Sequence, residues 1–103
     1  MINYKVELEY FENKYSEIKQ NSYCETLKNI LYTLIKFDTI EDLLKYYNTL
    51  QDETGIVFPR VEEDLKMGSS LEDIKSRIVI CAVDKLLSKK VELETIESDK
   101  YIS

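Results

Sequence analysis

The sequence contains no histidine, no tryptophan, two glycines, one proline and two cysteines, and these scarcities close off most site chemistry. Structural zinc draws three or four ligands mainly from Cys and His. Here Cys24 and Cys81 stand far apart with no imidazole in the chain. The same gap excludes Ser-His-Asp and Cys-His catalysis, because no imidazole exists to accept a proton from a nucleophile. Neither Gly55 nor Gly68 stands in a GxGxxG or GxxxxGK[ST] frame, so a Gly-rich phosphate loop is missing. The longest apolar run is Ile78-Val79-Ile80-Cys81-Ala82-Val83, about a third of what a membrane span needs. MINYKVELEY at the start lacks the basic and apolar regions of a secretory signal. These features predict a cytoplasmic protein without metal, cofactor or membrane contact, whose two cysteines are free and buried in the manner of small apolar residues.

What is present points to a folded domain. The chain has 103 residues, 44 % of them hydrophobic, with 14 basic and 20 acidic side chains and a formal charge of −6. That length predicts a single domain over 1–103, and that apolar content is enough for a core. Twelve lysines against two arginines, eleven isoleucines and eight tyrosines fit the codon usage of an AT-rich genome.

Turn residues are so sparse that helices are the expectation, and hydrophobic spacing agrees. Tyr4, Leu8, Phe11, Tyr15 and Ile18 recur at alternating steps of four and three, which predicts a helix over about 3–20. Ser22 with Glu25 forms a capping box, in which a hydroxyl and a carboxylate reciprocally satisfy backbone N–H groups, and opens a second helix over 22–37. Its stripe is Tyr23, Leu27, Ile30, Leu34 and Phe37, widened by Cys24, Leu31 and Ile35. Thr39 with Asp42 repeats the device before a third helix over 40–51, carrying Ile40, Leu43, Leu44, Tyr47 and Leu50.

The loop around Gly55 leads to Pro59, which suits the first position of a short helix over 59–67 closed by Gly68. Ser70 with Asp73 caps a fifth helix over 71–90, whose all-round apolar segment Ile78–Val83 marks the bundle centre in preference to a dimer interface. Residues 91–103 read equally as an alternating strand or as more of the same helix. The expected architecture is an all-α bundle of four to five helices, joined antiparallel by short connections.

Function has to be read from surface chemistry, since no catalytic inventory remains. Both halves of the chain are acidic, which disfavours binding to phosphate backbones. A helix-turn-helix-like spacing around Gly68 opens its second helix with Glu72 and Asp73, where contacts to nucleic acid would fall. Acids gather beside the single loop: Asp52 and Glu53 before it, and Glu62, Glu63 and Asp64 after it. Such a patch steers a basic partner, although acids also cluster at helix N-termini for stability alone.

Tyr32 falls about 140° from the centre of the second helix's apolar arc, and Tyr10 about 100° from that of the first, so both are expected to face solvent as interface anchors. Ile56, Val57 and Phe58 are expected to fold back as a plug over the bundle end in preference to forming a contact patch. The expected partner surface is therefore Asp52, Glu53, Phe58, Glu62, Glu63, Asp64 and Tyr32, meeting a basic toxin or nuclease. In size, acidity and helicity the chain is similar to small acidic immunity proteins, an analogy of gross properties without a shared motif. The alternatives are an adaptor module, possible as a homodimer, and a helical DNA-binding regulator.

Overall fold

The computed structural model of the chain describes residues 4–18 and 22–102, with side chains left out at Pro59 and from 93 onward. Among these residues there are five helices and no strand: α1 (Tyr4–Ser16), α2 (Ser22–Leu34), α3 (Ile40–Thr54), α4 (Pro59–Lys66) and α5 (Leu71–Ile102). The expected periodicities place the core. Ile74, Ile78, Val79, Ala82 and Leu86 of α5 are fully buried against Phe11 of α1, Leu27, Leu31 and Leu34 of α2, Leu43 and Tyr47 of α3, and Val61 of α4. The Ile78–Val83 segment is thus the centre of the bundle within one chain, with only Ile80 half-exposed. Both cysteines are buried and neither is in a disulfide.

Boundaries shift for identifiable reasons. The turn after α1 begins with N–H groups of Glu17 and Ile18 bonding three residues back, to the carbonyls of Lys14 and Tyr15. The helix therefore tightens and stops earlier than the expected residue 20, and residues 19–21 lie outside the described ones. At the end of α2, Lys36 and Phe37 likewise bond three residues back. This ends the helix at Leu34 rather than 37, turns Ile35 into the core and seats Phe37 against Tyr46, with ring centroids 5.4 Å apart.

The last turn of α3 extends past 51 to Thr54, where Gly55 takes a left-handed conformation (φ 72°) and donates its N–H to the Gln51 carbonyl. Lys66 ends α4, one residue short of the expectation, in a Schellman motif. Gly68 (φ 73°) donates to Leu65 O, and Ser69 to Asp64 O. The ambiguous segment after 90 continues α5 as helix to Ile102.

Two of the three capping boxes show their hydroxyl half, with Thr39 Oγ1 accepting from Asp42 N–H and Ser70 Oγ from Asp73 N–H, each at 3.2 Å. Ser22 instead already belongs to α2, so it is not that helix's N-cap, and the residue before it lies outside the described ones.

Short connections give antiparallel neighbours where the cross-contacts define direction. Lys28 of α2 lies over the Tyr15 ring of α1, while Tyr32, one turn further on, reaches back to Glu12. Asp64 of α4 meets Arg77 of α5, and Phe58 before α4 meets Lys85.

The pair α1 and α5, which no short connection joins, lies outside the antiparallel expectation. Lys75 lies over the Tyr4 ring at one end and Lys90 meets Glu17 at the other (3.3 Å), so the two helices run parallel. The antiparallel rule holds for helices joined by a short loop. Here three other helices intervene, and α1 returns to α5 in the direction its partner α2 dictates.

Candidate functional site

The loop between α3 and α4 is built from the inside outward. Tyr47, almost fully buried on α3, stacks on Phe58 with centroids 6.0 Å apart, and its hydroxyl accepts the Phe58 N–H at 2.9 Å. Phe58 is 1 % exposed and Ile56 9 %, so the loop's apolar residues form a plug. Phe58 is therefore not available to a partner, which corrects the sequence expectation: its ring closes the bundle end, with Lys85 Nζ over it at 5.7 Å. Burial, and secondarily the nearby Glu62 carboxylate, push the Tyr47 phenol above its ordinary pKa, against the opposing effect of the Phe58 N–H.

With the apolar residues turned inward, the carboxylates remain outside. Asp52, Glu53, Glu62 and Glu63 are all exposed, and among the described residues none of the four takes part in an ion pair. Their local settings differ. Glu62 stands in the first turn of α4, where the positive end of the helix dipole favours an acid. Asp52 and Glu53 stand near the C-terminal end of α3, whose last turn carries no base. There the dipole opposes an acid, so helix stability does not account for them. Between residues 40 and 66 seven acids face three bases, a net −4 within a chain of −6.

The other expected contact residues do not join this face freely. Asp64 is engaged inside the fold: Arg77 Nε of α5 donates to its Oδ2 at 3.0 Å, and its side chain is only 18 % exposed. Tyr32 is half-buried, because α1 packs beside it and the phenol donates to Glu12 Oε1. Burial first and Glu12 second push its pKa up to about 12. The helical wheel missed this because it accounts for one neighbour and α2 has several. Tyr10 is 49 % exposed, as expected. No local sequence signal announced the Asp64–Arg77 pair, since its partners lie thirteen residues apart on different helices.

Concave surface lies elsewhere: a hollow of about 280 Å³ lies on α3 and the turn before it, lined by Phe37, Asp42, Lys45, Tyr46 and Thr49, and two more lie along α5. A shallow cavity of about 410 Å³ is lined by Tyr23, Asp84, Lys85, Ser88, Lys89 and Glu92. A second of about 240 Å³ shares Asp84 and Lys85 and adds Arg60 and Cys81. Cations and acids alternate there, and Lys89 is paired with Glu92 at 3.3 Å. Burial raises the pKa of both thiols, Cys24 and Cys81, which keeps them protonated and weakly nucleophilic. Among the described residues no three Cys, Asp or Glu side chains are grouped to hold a metal ion, and no helix is long and apolar enough to cross a membrane. Compared with protein-family models, with curated proteins and with solved structures, the chain matches none of them.

Proposed function

We propose that this chain is a non-enzymatic acidic binding protein of the inhibitor type, of an immunity, antitoxin or phage kind. In this reading it docks the α3–α4 face on a basic nucleic-acid enzyme or toxin in the cytoplasm. The observation that carries the reading is the position of Asp52 and Glu53, exposed, without an ion-pair partner among the described residues and opposed by the α3 dipole. Together with Glu62 and Glu63 they present four exposed carboxylates around a loop whose largest apolar residues, Ile56 and Phe58, are internal. Such a face attracts cations over distance and contributes chiefly to association rate and partner choice. The working surface is therefore Asp52, Glu53, Glu62 and Glu63.

The test is affinity capture from the source lysate at about 50 mM and about 500 mM salt, a range that takes the Debye length well below the size of the patch. The tagged wild type is compared with a variant carrying Asp52→Lys, Glu53→Lys, Glu62→Lys and Glu63→Lys. A basic nucleic-acid-handling protein, held at low salt, released at high salt and lost with the variant at unchanged helix content, supports the reading. A partner retained equally by both forms and at both salt concentrations refutes it.

A second reading, the adaptor or homodimer, is favoured by one feature. Beyond the Lys90–Glu17 pair, α5 continues to Ile102, and Val91 is 61 % exposed. A mass that rises with concentration and is indifferent to salt in sedimentation supports it; a constant monomer mass removes it.

A further inference from the structure

The two hollows along α5 meet at Asp84 and Lys85, which line both, and so form one trough. Tyr23 at the start of α2 walls one end and Arg60 at the start of α4 the other. The two arginines of the chain are placed differently. Arg77 is held by Asp64, whereas Arg60 is exposed and its guanidinium takes part in no ion pair or hydrogen bond among the described residues. The ammonium groups of the trough are set in place by rings: Lys85 Nζ lies 5.7 Å from the centre of the buried Phe58 ring, and Lys89 Nζ 5.2 Å from that of Tyr23. Glu92 neutralises Lys89 at 3.3 Å. Arg60 and Lys85 remain as the trough's uncompensated cations, with Asp84 as its one acid outside any ion pair among the described residues.

We propose that this trough binds a small phosphate monoester bearing hydroxyl groups, with the phosphate between Arg60 and Lys85 and the organic part lying along α5 toward Tyr23. A phosphate has oxygens enough to meet the planar guanidinium fork and the ammonium together, whereas the fork alone fills a carboxylate. Both cations come from different helices and line the same hollow of about 240 Å³, so one anion can reach both. The adjoining hollow of about 410 Å³ gives the organic part room, the Tyr23 ring as an apolar wall, and Ser88 as a hydroxyl partner. Asp84, at the junction, accepts hydrogen bonds from ligand hydroxyl groups and repels a second phosphate. The trough thereby selects a monoester over a nucleic-acid backbone, whose affinity depends on many neutralised phosphates. It shares no residue with the acidic α3–α4 face and does not depend on the docking reading.

The test is an NMR titration of the backbone amides with ribose 5-phosphate, ribose and inorganic phosphate as probes. The expected result is a shift of the amides of Tyr23, Arg60 and residues 81–92 by ribose 5-phosphate, none by ribose, and binding of inorganic phosphate about tenfold weaker than that of the ester. Arg60→Gln and Lys85→Gln should each weaken the ester by about tenfold or more, the loss of one charge-assisted bond. Lys66→Gln removes the same charge from an exposed position on α4 outside the trough and should leave binding unchanged. Because Arg60 is exposed, its variant keeps the fold, and amide spectra without ligand check that it does. Trough amides unmoved by the ester at about 10 mM, the bottom of the range for a specific small ligand, overturn the proposal. So does inorganic phosphate that binds as tightly as the ester, or a loss in Lys66→Gln equal to that in Arg60→Gln.

Discussion

Removing a single oxygen at the bundle end tests whether the loop plug is held as described. In Tyr47→Phe the ring that stacks on Phe58 stays, and only the hydroxyl that accepts the Phe58 N–H at 2.9 Å is lost. Phe58 is buried, so the N–H that Tyr47 no longer accepts is left without water to replace the lost bond. A buried donor left without a partner costs about 1–3 kcal/mol, and removal of the hydroxyl's own burial cost offsets the lower part of that range. We expect a net loss of about 1–2 kcal/mol, which for a domain of this size lowers Tm by about 5–15 °C.

Far-UV circular dichroism during thermal and urea unfolding measures the loss, and amide exchange at Phe58 locates it. Tyr46→Phe is the matched control, because Tyr46 is only half-buried and packs on Phe37 through its ring. If Tyr47→Phe unfolds at the wild-type temperature while Phe58 keeps its exchange protection, the hydroxyl is not what holds the loop and the argument fails.

Other consequences are measurable in the same assays. The Tyr32 phenol, pushed up to about 12 by burial and Glu12, is favoured in its protonated form by the fold. Its contribution is full below the unfolded tyrosine value of about 10 and is lost as pH rises through about 12. The urea midpoint should therefore fall over that interval, and less so in Tyr32→Phe. Gly55→Ala and Gly68→Ala should each cost about 1 kcal/mol, because both glycines have positive φ while nothing crowds the added Cβ; equal stability in urea titrations would show that the turns relax. Cys24, fully buried and with a raised pKa, should react with a thiol reagent only as fast as the protein unfolds, whereas Cys81, which lines the shallow hollow beside Asp84 and Lys85, should react faster. A Cys24 that reacts under native conditions would contradict its burial.

The helix stripes were legible because each depends on one helix and one core. Leu27, Ile30, Leu31 and Leu34, or Ile74, Ile78, Ala82 and Leu86, bury the faces their spacing predicts. The caps at Thr39, Ser70 and Gly68 were legible for the same reason, since their chemistry is local. Relations between helices were not. The parallel course of α1 along α5, the half-burial of Tyr32 and the Arg77–Asp64 pair all depend on which surfaces meet, and periodicity carries no such information.

The acidic face was legible as composition. Its setting against the α3 dipole came only with the extra turn to Thr54, because a boundary three residues earlier places Asp52 and Glu53 in a loop where the dipole does not act.

The parallel pairing of α1 with α5 also sets a schedule. Glu17 finds its partner Lys90 only 73 residues later in the chain. At about 5–20 residues per second, a ribosome needs on the order of 4 to 15 s to deliver that partner after α1 has emerged. Through that interval Phe11 and the face around it have no α5 to cover them, while α2 and α3 already have each other. The waiting helix is the segment that a chaperone would meet first, and a low apolar content on α1 shortens the list of things that can go wrong while it waits.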